Sequence, residues 1–330
     1  VNSASEANEL ALRLARAYTR APDLIVMAGA YHGHTTTLID ISPYKADGPG
    51  GQGCLEWVHQ VPLVDLYRGE FRYTDPDAAA GYAQHVSTTI KSLTERGRQL
   101  CGFICESLPS VGGQLVYPDG YLARVYAAVR AAGGLCIADE VQTGFGRIGD
   151  HFWGFEQQGV QPDIVVLGKP MGNGHPLGAV ITTARIAATF ANGMEFFSTF
   201  GGNTVSCAAG REVLRIVQEE QIQQHCKSTG DYLRRMLHEV ALKHPLVGDV
   251  RGMGLFLGVE MVEDKDSRKP DAGAARYVAN RLREQGILIG TDGIFDNVLK
   301  IRPPAPFNRQ DALRLAETLG TVLDDTTLQR

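Results

Sequence analysis

No run of apolar residues in this 330-residue sequence is long enough to cross a bilayer, and charges of one sign never gather into a block. The first absence excludes a helical membrane span within these residues. The second, with a net charge of −5, excludes the basic surface that nucleic acid or an anionic membrane would require. No signal-peptide pattern opens the chain, and neither an internal repeat nor a low-complexity segment interrupts it. The six cysteines (Cys54, Cys101, Cys105, Cys136, Cys207 and Cys226) form no CxxC pair, and several lie in apolar runs. They read as reduced, buried thiols of a cytoplasmic protein and not as a disulfide framework. His32 and His34 have no Cys, His or Asp set at ligand spacing, so no metal site is expected.

What the chain does have is length, a 44% hydrophobic composition and 38 glycines. These suit one large α/β domain plus a smaller one, with many tight turns. Ser3-Ala4-Ser5-Glu6 has the form of a capping box, and Ala7, Leu10, Ala11, Leu14, Ala15 and Tyr18 follow at helical spacing. Leu24 to Ala28 reads as a buried strand, and the Gly- and Pro-rich stretch from Ile41 to Asp75 as a long loop. Short apolar runs at 103–105, 135–138, 164–167 and 179–182 then alternate with helical pattern, notably 121–132, which is the rhythm of a mostly parallel sheet between helices. Near Val205 the pattern changes. Helical segments at 205–219 and 222–243, strands near 255–260 and 299–301, and a last helix at 309–323 predict a smaller C-terminal α/β domain. The expected division is 1–204 and 205–330.

Ligands of open α/β sheets sit beyond the carboxyl ends of the strands. Three polar signals fall there: Glu106, Asp139-Glu140 and Lys169. A lysine forms a Schiff base with an aldehyde, and a carboxylate keeps a pyridinium nitrogen protonated, the two protein groups that pyridoxal 5′-phosphate (PLP) demands. Taken alone, Asp139 could equally cap a helix and Lys169 reach water. An apolar strand ending in Asp-Glu also fits a P-loop ATPase, but that requires G-x-x-x-x-G-K-[ST], and Gly168-Lys169 is followed by Pro170. A binding-only PLP protein is a further alternative, against which the intact Asp139–Lys169 pair speaks.

Ser3-Ala4-Ser5-Glu6-Ala7-Asn8, Tyr31-His32-Gly33, the run Asp139 to Arg147, Gly168-Lys169-Pro170-Met171-Gly172-Asn173-Gly174 and Thr199-Phe200-Gly201-Gly202-Asn203 occur in that order. Together they resemble the class III aminotransferases over essentially the whole chain. The resemblance implies the PLP-dependent transferase fold of type I, with a seven-stranded type of sheet. It implies Lys169 and Asp139 as catalytic residues, Asp139 facing the ring nitrogen. Ser3, Ala4 and Ser5 would hold the cofactor phosphate at a helix N-terminus, although the family usually has Gly where Ala4 stands. Tyr31 and Val141 would cover the ring faces, Gln142 would meet the ring hydroxyl, and His32 and Glu106 would complete the cofactor site. Glu140 and Arg147 would hold the motif's own loop. Thr199 would bind the phosphate of a partner subunit's cofactor, making a homodimer or a tetramer built from it. A further segment before Ser3 is also implied, so the chain reads as a piece of a longer protein.

Within the family, members that bind an α-carboxylate present an arginine shortly before a Pro-containing turn. Here Lys300 takes that place in Val298 to Pro304, with Arg302 two residues on. Lysine is a point charge, not a bidentate clamp, and residues two apart on a strand share a face. With Tyr44-Lys45 and Tyr67-Arg68-Gly69, this resembles the phospho-lyase branch acting on O-phosphoethanolamine and 5-phosphohydroxylysine. Lys45, Arg68, Lys300 and Arg302 are then candidates for the substrate phosphate. The alternative is an ω-type aminotransferase that passes the amine to a keto acid.

Overall fold

The computed structural model describes residues 1–328, which fall into two compact units. The first comprises Val1–Leu108, Tyr117–Phe145 and Trp153–Glu219; the second takes Pro109–Val116, Gly146–Phe152 and the described residues from Glu220 onward.

In the first unit the elements run α1 (Ala4–Thr19), β1 (Asp23–Met27), α2 (Thr36–Asp40), α3 (Pro43–Ala46), β2 (Val58–Val61), α4 (Ala78–Glu95), β3 (Leu100–Glu106), α5 (Tyr121–Ala131), β4 (Leu135–Asp139), β5 (Ile164–Leu167), β6 (Ala179–Thr182), α6 (Ala184–Thr189) and α7 (Thr204–Glu219). The strands form one sheet in the order β2-β1-β3-β4-β5-β6, parallel except for the antiparallel β5–β6 pair. Six strands are present among the described residues, where the resemblance implied the seven-stranded type.

The sheet is covered on both sides, which is why its strands read as unbroken apolar runs. Leu24, Val26, Ile104, Ile137 and Ile164 point into one core with Ala7, Ala11, Leu12 and Ala15 of α1. Ile25, Met27, Phe103, Cys105 and Cys136 point into the other, with Tyr82 and Val86 of α4 and Tyr121, Val125 and Val129 of α5. Burying each such large side chain contributes roughly 1.5–3 kcal/mol relative to exposure. The stretch from Ile41 to Asp75 is not all loop, because it holds α3 and the edge strand β2. Only Val58 and Val61 of that strand are buried, so its sequence carries neither alternation nor a continuous apolar run.

The second unit contains α8 (Ile222–Lys243), β7 (Val247–Met253), β8 (Phe256–Met261), α9 (Ala272–Glu284), β9 (Gly290–Asp292), β10 (Val298–Ile301) and α10 (Arg309–Leu323). Its sheet, β7-β8-β10-β9, is antiparallel throughout. Leu233 and Leu237 of α8, Ala275 and Val278 of α9 and Leu315 and Leu319 of α10 close its core. The chain leaves the first unit after Glu219, so α7 belongs with the large sheet, later than the change of pattern near Val205 suggests. All six cysteines are free, and among the described residues no helix is long and apolar enough to cross a membrane and no cluster could hold a metal ion.

Candidate active site

Because β1, β3, β4 and β5 are neighbours and parallel, their carboxyl ends open on one edge of the sheet. Glu106 and Asp139 end adjacent strands in direct register. Tyr31 and His32 follow β1, and Gly168-Lys169 follows β5. The N-terminus of α1 meets the same edge. The resulting pocket is lined by Ser3, Ala4, Ser5, Asn8, Tyr31, His32, Gly33, Glu106, Asp139, Val141, Gln142 and Lys169. Ten of the eleven residues expected to hold the cofactor are therefore brought together; the eleventh, Thr199, lies exposed in the loop before α7 and does not line this pocket. Asn8 and Gly33 line it without having been singled out, although both stand inside the motifs that pointed to the family.

Asp139 is 4% exposed. Three donors meet its carboxylate: Asn8 Nδ2 at 3.0 Å and His32 Nδ1 at 2.9 Å on Oδ2, and the Val141 amide at 3.1 Å on Oδ1. An ionised carboxylate only accepts, so His32 carries its proton on Nδ1. Its Nε2 is buried without a hydrogen-bond partner, as is Gln142 Oε1. Glu106 is buried too, and the Tyr31 amide points at its Oε1 from 3.4 Å.

Glu140, next to Asp139, faces away from the pocket lining and accepts from Ser107 Oγ (2.5 Å), the Gly154 amide (2.8 Å), the Phe155 amide (2.9 Å) and Thr143 Oγ1 (3.0 Å). Burial pushes its carboxyl above the usual range while these donors pull it down. It does hold the motif's loop. Arg147 does not: it donates to the carbonyls of Leu255 and Pro303 in the second unit, because the chain has by then left the first.

Lys169 is exposed and has φ of +29°, a conformation that a side-chain-bearing residue occupies at a cost of order 1–3 kcal/mol and that clusters at functional sites. Close approach is built in around it. A Cβ on Gly168 would lie 2.7 Å from Ala4 Cβ, and one on Gly33 would lie 2.8 Å from Ser5 Oγ. Ser3 Oγ caps the Glu6 amide, leaving the Ala4 and Ser5 amides of α1 without intrahelical partners.

A sequence profile described as "Aminotransferase class-III" matches residues 1–323. The chain belongs to the class III aminotransferases. Among curated relatives, it is 49% identical to "Alanine--glyoxylate aminotransferase 2-like" of Drosophila melanogaster, with 98% of this chain and 68% of that protein aligned. It is 42% identical to "Ethanolamine-phosphate phospho-lyase homolog 1" of Caenorhabditis elegans, over 98% of this chain and 72% of that one. A solved Arthrobacter phospholyase in complex with phosphoethanolamine superposes with a TM-score of 0.92 at 40% identity, covering 98% of this chain and 76% of the other.

Enzymes of the family depend on PLP, and the pocket fits that group. The capped N-terminus of α1 and Ser5 Oγ suit its phosphate, the buried Asp139 its ring nitrogen, and the partnerless Gln142 Oε1 a hydroxyl. Tyr31 and Val141 would cover its faces and Lys169 would reach its aldehyde.

Of the candidate anion-binding residues, Lys45 and Arg68 belong to the first unit and Lys300 and Arg302 to the second. Lys45 is exposed, its ammonium 4.8 Å from the Tyr44 ring centre, and Tyr44 stands edge-on to Tyr31 at 6.3 Å. Arg68 lies against the Tyr67 ring at 5.6 Å and does not line the pocket. In the second unit, Lys300 forms an ion pair with Asp292 across the β9–β10 pair, and Gln114 Nε2 donates to the same carboxylate at 3.0 Å. Arg302 follows β10, half-buried, and its charge adds to the burial that lowers the pKa of Arg147.

Proposed function

We propose that this enzyme is a phospho-lyase that removes phosphate from a phosphorylated amine such as O-phosphoethanolamine. The observation that supports this most is Lys300. Where an α-carboxylate would call for a forked guanidinium, the chain has a point charge already set against Asp292, which favours a substrate without a carboxylate. The likeness to the phosphoethanolamine-bound Arthrobacter phospholyase points the same way.

When bound, PLP supplies an aldehyde for the substrate amine and a ring that takes up the electron pair freed as a proton leaves the amine-bearing carbon. Lys169 Nζ, which lines the pocket, would remove that proton. Asp139, oriented by its three donors, would accept from the ring nitrogen and hold the proton there. Tyr31 and Val141, which line the pocket, would cover the ring's faces and exclude water from them. With phosphate on the adjacent carbon, the outcome would be cleavage of the C–O bond, its electron pair leaving with the phosphate. Over the whole cycle, phosphoethanolamine and water give acetaldehyde, ammonia and phosphate.

Purified full-length holoenzyme given O-phosphoethanolamine should release phosphate, ammonia and acetaldehyde in equal amounts with no keto acid present. A second reading, an aminotransferase, draws on the 49% identity to a protein of that name. Steady formation of alanine from pyruvate and an amine donor, without phosphate release from O-phosphoethanolamine, would establish that reading instead.

The same assignment gives Thr199 to the cofactor phosphate of a second subunit. Thr199 is exposed, and its stretch also exposes Met194, Phe197, Phe200 and Val205, apolar surface that a monomer would leave in water. Sedimentation of the full-length protein should give a dimer or a multiple of it, and Thr199→Ala should weaken PLP retention. A stable, fully active monomer would overturn this role.

A further inference from the structure

We propose that Asn8 is a positioning residue: it ties Oδ2 of Asp139 and the His32 carbonyl to the helix whose N-terminus suits the cofactor phosphate, so that the carboxylate presents Oδ1 to a further donor. This rests on the family's use of PLP and not on the choice between lyase and aminotransferase.

Asn8 is 1% exposed, and its amide nitrogen spends both hydrogens within the site. One goes to the His32 carbonyl at 2.8 Å and the other to Asp139 Oδ2 at 3.0 Å. Both partners only accept, so the amide has one possible orientation, with Oδ1 buried and partnerless. A flipped amide would set an oxygen against a carboxylate and a carbonyl.

Asn8 and His32 saturate Oδ2, which leaves Oδ1, holding only the Val141 amide, as the oxygen with capacity for another donor. Asn8 also grips His32 through its carbonyl, so one side chain fixes both groups next to the ring site.

Position along α1 adds a second element. Ser3 caps the helix and Ser5 lines the pocket; Asn8 lies three residues further, about 4.5 Å along the axis. The helix thus offers its N-terminus to the phosphate and, one turn in, an amide to the carboxylate that serves the ring nitrogen. Whatever seats the phosphate also seats Asn8 against Asp139.

The test is the 15N resonance of the ring nitrogen in full-length holoenzyme loaded with 15N-labelled PLP, with kcat and KM measured beside it. In wild type it should sit at the position of a protonated pyridine. Asn8→Ala should move it toward the unprotonated position, with kcat lowered about tenfold, as loss of one hydrogen bond to a charged group implies, and KM little changed. Asn8→Leu has nearly the same shape, so it keeps the packing of α1 while offering no donor. It should move the resonance in the same direction as Asn8→Ala. Folded variants whose resonance stays at the wild-type position would overturn the proposal, whatever their activity; if Asn8→Ala does not fold, Asn8→Leu decides.

Discussion

Lys169→Ala should abolish turnover while leaving the fold and part of the cofactor affinity intact. The backbone supports this separation of effects. Lys169 already sits at φ +29°, and alanine carries the same Cβ, so the strain is no greater in the variant. The side chain is exposed, so its removal opens no cavity in either core of the first unit. What disappears, on the proposed assignment, is the amine that would both bond the cofactor and move the substrate proton. General acid–base catalysis alone is worth about 10²–10⁴-fold, and losing the covalent role as well places the expected fall at or beyond the upper end. Borohydride treatment of wild-type holoenzyme should fix the cofactor onto the peptide containing Lys169, and the variant should show no such product. Retention by the variant should persist through α1 and Asp139, measurable by dialysis against PLP-free buffer. A variant that still turned over, or a colourless wild type indifferent to PLP, would remove Lys169 from the role.

The parts of this site that were legible in the sequence are those set by chain-local rules. Glu106, Asp139 and Lys169 each end or follow an apolar run, and in a parallel sheet that alone puts them on one edge. Ser3 was legible as a helix cap, and it caps. Asn8 was not, because its meaning lies in a bond to a residue 131 positions away and its spacing on α1 is that of the buried face. Without its partner it reads as a polar residue inside a helix.

Lys300 shows the opposite failure. Its place before Pro303-Pro304 was visible, but its ion pair was not, since Asp292 becomes its neighbour only when β9 pairs with β10. Arg147 was assigned to its own motif for the same reason: the sequence gives no sign that the chain changes units between Phe145 and Gly146. The edge strand β2 escaped notice because a half-covered strand of two buried and two less buried residues carries almost no periodic signal.

Asp139→Asn should leave the pocket's shape nearly unchanged and still cost most of the activity. The substitution preserves size but replaces one accepting oxygen by an NH2, within a carboxylate that now receives Asn8 Nδ2, His32 Nδ1 and the Val141 amide. One conflict has a ready solution: His32 shifts its proton to the partnerless Nε2, and Nδ1 becomes the acceptor of the new amide. Asn8 Nδ2 has no such freedom, because its other hydrogen is committed to the His32 carbonyl. It would face a donor instead of an acceptor, so a modest loss of stability is expected, about 1–3 kcal/mol for one buried donor left unmet. The functional loss comes from charge. A hydrogen bond to an ionised partner is worth roughly 1.5–3 kcal/mol, which is about 10- to 150-fold in rate if it acts only in the transition state. On the proposed assignment the negative charge would do more there than in the ground state, because it would hold the proton that lets the ring accept electrons. Cofactor retention should therefore fall much less than kcat, and the ring-nitrogen resonance should move to the unprotonated position. The separation from Asn8→Leu is clear: that variant keeps the carboxylate at 139 and removes only one of its donors, so its kcat should fall less than that of Asp139→Asn. Near-normal turnover in Asp139→Asn would make the residue structural and leave the pocket without a group for the ring nitrogen.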